Sequence, residues 1–149
     1  MNRRRGSGVF RILYTKVELS PHTDLAPMVP VRLRWKGDPI EIVMMMDTGA
    51  TLSVLPPKMA KDLGLELGPP GHPGRGLGGD VAVRPSKVRP QLAVRDRLGV
   101  VGRDWPLDPV MVAASDEAVP VPILGRRPFL RHHELIVRED KGEFVLREH

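Results

Sequence analysis

The sequence predicts an all-β protein, and three observations lead there. Val29, Val31, Leu33 and Trp35 alternate with Pro30, Arg32 and Arg34, the two-residue period of a strand with one face in the core. Apolar runs elsewhere are short, and 15 glycines and 16 prolines among 149 residues cut them into strand-sized lengths. Only two stretches, Lys58 to Leu63 and Arg126 to His132, read as short helices, and no internal repeat, heptad or long low-complexity segment is visible.

Taken in order, residues 1–8 hold Arg3, Arg4 and Arg5 beside Gly and Ser and are expected to form a flexible basic arm. Residues 9–149 are expected to form one domain, being enough chain for one core and too little for two. Val9 to Leu19 suits an edge strand. Lys36-Gly37-Asp38-Pro39 then turns the strand at Val29 to Trp35 back into Ile40 to Met46. That return strand begins with alternation and ends apolar on both faces, so it enters the core as it approaches Asp47. Leu52 to Leu55 is a short strand stopped by Pro56-Pro57. Pro57 suits a first helical position and Gly64 a helix exit.

Gly68 to Gly79 is dense in Gly and Pro and is expected to be a mobile loop or a hairpin tip. Val81 to Val83, Val88 to Val94, Val110 to Ala114 and Val121 to Gly125 read as strands, with Pro85 and Pro90 confining parts of them to edges or bulges. Glu134 to Arg138 and Glu143 to Arg147, joined across Asp140-Lys141-Gly142, read as a closing hairpin.

Composition narrows the function classes. Apolar content of 41% and charged content of 28% describe a soluble globular chain. Without cysteine there is no disulfide, thiolate metal site or thiol nucleophile, and nothing calls for an oxidising compartment. Arg11 and Lys16 interrupt what would otherwise be a signal-peptide core, and no uncharged run reaches membrane-spanning length. A cytoplasmic, unanchored protein is expected. The net charge of +5 is dispersed and aromatics make up 4%, which argues against nucleic acid as the partner.

The chemistry centres on Asp47-Thr48-Gly49-Ala50, where the apolar strand ends in an acid, a hydroxyl and a glycine. A carboxylate against apolar neighbours must be hydrogen-bonded, paired or used. This signature, with Gly76-Leu77-Gly78-Gly79 and Ile123-Leu124-Gly125-Arg126 after it in that order, resembles the retropepsin-like aspartic proteases over about Val29 to Leu146. The resemblance implies a closed β-barrel of the acid protease type with two short helices, acting as an aspartic endopeptidase on extended polypeptide without a cofactor. It implies catalytic roles for Asp47, Thr48 and Gly49. Thr48 would lock two turns together across a symmetry axis, and Gly49 would let substrate backbone come close. Ala50 would line the cleft, and Gly76, Leu77, Gly78 and Gly79 would form the tip of a flap over the substrate.

Two carboxylates sharing one proton can supply both the base that activates water and the acid that protonates the substrate. At ~3 Å and an effective dielectric of ~20, two ionised carboxylates repel by about 5 to 6 kcal/mol, so they titrate as a pair. This chain holds a single Asp-Thr-Gly, so the resemblance implies a homodimer with Asp47 from each copy. A non-catalytic peptide-binding or assembly module of the same fold is the alternative, Asp47 then serving only the hydrogen bonds of its turn.

Several departures stand out. The retroviral pattern has an acid two residues beyond the signature glycine to pair with the Gly-Arg arginine, and here that position is Thr51, which leaves Arg126 without that partner. The tail beyond Gly125 is longer than the retroviral one, so dimer contacts through interleaved terminal strands do not carry over. Among other candidates, adjacent His132 and His133 point to different sides of any regular element and suit a surface pair better than a metal site. Met44 to Met46 suits adaptable core packing. Ser53 has no His and Asp at a spacing that suggests a triad. Gly74 to Gly79 lacks the Lys-Ser/Thr ending of a phosphate loop.

Overall fold

A computed structural model describes residues 8–19, 22–34, 36–69, 74–76, 79–95, 108–127 and 129–149. Its strands, in chain order, are β1 (Val9–Leu13), β2 (Thr15–Leu19), β3 (His22–Ala26), β4 (Met28–Leu33), β5 (Ile40–Met46) and β6 (Val54–Leu55). After helix α1 (Pro57–Asp62) come β7 (Gly74–Gly76), β8 (Gly79–Val81), β9 (Val83–Pro85), β10 (Pro90–Leu92), β11 (Met111–Ala113), β12 (Ile123–Leu124), β13 (His133–Arg138) and β14 (Glu143–Glu148). Single 3-10 turns cover Phe129–Arg131 and Glu139–Lys141.

The alternating segment folds as its pattern dictates. Val29, Val31 and Leu33 are buried, and β4 pairs antiparallel with β5 in a register that sets Val31 opposite Ile42. Met44 and Met46 on β5 point into the same core, with Leu55, Val110, Leu124, Phe144 and Leu146. Pro57 opens α1 as its first residue, and the Leu63 and Gly64 N–H groups close it onto Met59 and Lys61 carbonyls.

Seven strands form one sheet in the order β10-β4-β5-β12-β6-β11-β9. The late strand β12 is inserted between β5 and β6, parallel to the first and antiparallel to the second. Strands that follow each other in the chain are thereby separated in space, and the segment between them must cross the end of β12. That crossing is what builds the site.

A second sheet, β1-β14-β13, joins the two ends of the described chain. Two antiparallel pairs, β2 with β3 and β7 with β8, complete the strands among the described residues.

Three expectations are corrected. Val9 to Leu19 is two strands rather than one: Tyr14 donates its N–H to Gly142 O, which ends the β1–β14 ladder, and the chain then leaves for a different partner. Val81 to Val83 is likewise divided between two sheets. The second helix is reduced to a 3-10 turn at Phe129–Arg131 with a Leu130 N–H bond to Arg126 O, since a proline at 128 disfavours helical backbone at the preceding Arg127. The mostly-β expectation holds, and the large sheet runs from β10 to β9 with no pairing between those two strands among the described residues.

Candidate active site

Asp47 is the first residue beyond β5, and the core controls where it stands. Met44 and Met46 anchor the strand, and the Asp47 N–H donates to Leu124 O at 3.1 Å, tying the residue to the fully buried end of β12. The chain then turns: the Gly49 N–H donates to Asp47 Oδ1 at 2.8 Å and the Ala50 N–H to Asp47 O at 3.2 Å. This short-range bonding of an Asp side chain to its own turn orients the carboxylate from both main chain and side chain. Asp47 and Ala50 are half-buried and Thr48 and Gly49 exposed, so the acid stands at the surface on a buried support. A Cβ on Gly49 would lie 3.2 Å from Asp47 Oδ1, tight enough to displace the carboxylate.

The second turn, after β12, is fastened against the first. Gly125 donates its N–H to Ser53 Oγ at 3.1 Å, the Arg126 N–H goes to Ala50 O at 2.9 Å and the Arg127 N–H to Thr51 O at 3.1 Å. The two turns approach so closely that a Cβ on Gly125 would sit 2.4 Å from Leu52 O. Glycine is therefore required there by contact with a neighbouring backbone.

Ser53 is the residue whose part the sequence did not disclose. Its hydroxyl is buried and accepts the Gly125 N–H, while its carbonyl accepts the Met111 N–H from β11 at 2.9 Å. A serine flanked by Leu52 and Val54 shortly after the acid signature was the available signal, but its partner lies 72 residues further on. Arg126 also finds a partner that sequence reasoning left empty, since its Nη2 donates to Thr51 Oγ1 at 3.2 Å. The residue standing in the acid's place thus still meets the arginine, through a neutral hydroxyl.

Gly76 and Gly79 pair across an antiparallel hairpin of β7 and β8, with Arg75 opposite Asp80. Leu77 and Gly78, expected at the flap tip, lie outside the described residues, as does the arm at 1–7. His133 is buried and His132 half-buried, and no cluster of three metal-ligating side chains occurs among the described residues. The three methionines divide as packing requires, Met44 and Met46 buried and Met45 half-buried beside Ile123. No described helix is long and apolar enough to cross a membrane.

Comparison with known proteins agrees with this geometry. A family model described as aspartyl protease matches residues 29–126, from the start of the β4–β5 hairpin to the Gly-Arg turn. A retropepsin-like aspartic protease from Rickettsia conorii is similar in structure, with a TM-score of 0.50 and 17% identity over 91% of this chain and 98% of that one. The EIAV protease complexed with an inhibitor is similar at a TM-score of 0.44 and 26% identity, over 74% of this chain and 88% of that one. No curated protein matches the chain. With its matched segment spanning most of the chain, its fold shared with a retropepsin-like protease and its Asp-Thr-Gly turn locked against the Gly-Arg turn, the protein belongs to the aspartyl protease family.

Proposed function

We propose that the protein is a homodimeric aspartic endopeptidase in which the two Asp47 carboxylates, one from each copy, activate a water for attack on an extended peptide bond. The observation that supports this most directly is the fixed, solvent-facing Asp47 turn, held by Leu124 from behind and by Gly49 from the side. One carboxylate takes the water proton while its protonated twin donates to the substrate carbonyl oxygen, which needs a shared proton and so a second copy. Thr48 bonds across the axis between the two turns, Gly49 and Ala50 line the floor, and Gly76, Leu77, Gly78 and Gly79 close over the substrate as a flap that excludes water. Residues 9–149 act as the single domain, residues 1–8 as a basic arm, and the cysteine-free composition suits a cytoplasmic setting.

Asp47→Asn tests the reading. Cleavage of a peptide library should fall at least about 1,000-fold, in the range of losing an acid-base group, while circular dichroism and subunit mass stay as in the wild type. Unchanged cleavage would remove Asp47 from the chemistry. A second reading, a peptide-binding module without hydrolysis, is favoured by one observation: Asp47 Oδ1 already serves the turn by accepting the Gly49 N–H. Peptide binding without cleavage in the wild type would decide for it.

A further inference from the structure

The side chain of Arg126 is more than the crossing of the two turns requires. That crossing is already fastened by the main-chain bonds of Asp47 to Leu124, Arg126 to Ala50 and Arg127 to Thr51, and by the buried hydroxyl of Ser53 on Gly125. Among the described residues, the guanidinium reaches one protein atom, the neutral Thr51 Oγ1. A guanidinium has five N–H donors and a permanent charge, and a single hydroxyl answers few of the donors and none of the charge. Arg11, Arg32, Arg138 and Arg147 each have a carboxylate partner, whereas no described carboxylate pairs with Arg126.

Arg126 and Thr51 are both exposed, so the cation keeps its hydration in the free protein and stays open to an incoming group. Its position is set by the Ala50 carbonyl, three residues beyond Asp47. A polypeptide lying along the turn from Asp47 to Ala50 comes within reach of it. Arg127, also exposed and fixed to Thr51 O, adds positive potential on the same turn, in a chain whose net charge is +5.

We propose that Arg126 is a specificity-determining residue, selecting substrates that place an acidic side chain beside the bond held at Asp47, through a forked guanidinium–carboxylate hydrogen bond. The proposal rests on the proteolytic reading above and names its substrate class. Thr51 is integral to it: a neutral residue at 51 leaves the arginine's charge for the substrate, whereas an aspartate there would consume it. Lysine would be a poorer reader than arginine, since it offers a point charge and no fork.

The test is a matched peptide library in which each position around the scissile bond carries Glu, Gln or Lys, read as ratios of kcat/KM for wild type, R126Q and T51D. The wild type should favour Glu over Gln at one position by roughly five- to tenfold, the range of a single charge-assisted contact at an exposed site. Both variants should bring that ratio close to one, and added salt should reduce it in the wild type. Because T51D retains the arginine, it answers the question even if R126Q folds poorly. Cleavage without a Glu preference, or a preference that survives in T51D, would overturn the assignment of Arg126 while leaving the protease standing. If nothing in the library is cut, the protease reading itself fails, and fluorescence anisotropy with the same peptides then decides: equal affinity for Glu and Gln peptides overturns the role of Arg126 as well.

Discussion

Gly125 has no space for even one more carbon. A Cβ would fall 2.4 Å from Leu52 O and 2.5 Å from Leu52 C, and both are backbone atoms that cannot rotate away. Gly125→Ala should therefore force the two turns apart and cost about 3 kcal/mol or more, at the upper end for overpacking. Urea denaturation would show this as a lower midpoint. Ser53→Ala probes the same crossing from the other side. It removes the acceptor of a buried N–H and adds no bulk, so the expected loss is about 1 to 3 kcal/mol, the penalty of leaving a buried donor unsatisfied. Equal stability of Ser53→Ala and wild type would mean that the hydroxyl bond is dispensable. In both variants the carboxylate of Asp47 loses part of its support without being touched.

At the scale of elements, the terminal sheet depends on one carboxylate. Glu143 lies on the central strand β14 with 1% of its side chain exposed, and it bonds Arg11 on β1 and Arg138 on β13, the latter at 2.9 Å. The hydrogen bond from Arg11 holds its pKa below the ordinary 4.5, with Arg138 acting in the same direction and burial opposing. A carboxylate depressed on folding stabilises the native state above the unfolded value and loses that contribution as pH falls through the folded one. The melting temperature of the wild type should thus drop as the buffer passes below 4.5, and Glu143→Gln should lower it at neutral pH and flatten that acid limb. An unaltered acid limb in the variant would place the transition on other carboxylates.

Beside this cluster Tyr14, the chain's one tyrosine, donates its hydroxyl to Glu139 at 2.6 Å, and that bond, aided by burial and by the charge of Glu139, pushes the phenol up from 10.0 to about 12. Since the folded state favours the neutral phenol, this contact stabilises fully below 10.0 and is lost as pH rises through about 12. Tyrosinate absorbance should titrate near that value, and Glu139→Gln should move the midpoint down toward the ordinary one. These two contacts also show where sequence reading stops. The hairpins β4–β5 and β13–β14 were legible because alternation and turn residues are local, and so was α1, with Pro57 and Gly64 at its ends. The insertion of β12 between β5 and β6, the break at Tyr14 and the bond from Gly125 to Ser53 rest on partners far away in the chain. Such pairing leaves no periodic trace in the segments that make it.

For the whole molecule, the arrangement of sheets bears on how two copies could meet. β14 has β1 on one side and β13 on the other within its own chain, so the central terminal strand has no edge to give to a partner. The proposed pairing of two Asp47 turns therefore does not call on β14 to extend a partner's sheet. If each active unit needs Asp47 from two chains, Asp47→Asn chains become poisons as well as inactive enzymes. Mixing wild type with an equal amount of the variant, after exchange of subunits, should leave about a quarter of the dimers wild type on both sides, by the statistics of a two-fold assembly. Activity per wild-type chain should then fall to about half that of the same chains alone. Specific activity of the unmixed wild type should also decline on dilution, in step with the loss of dimer mass by sedimentation. Addition of the variant without effect, together with dilution-independent specific activity of a monomer, would require both catalytic groups to come from one chain.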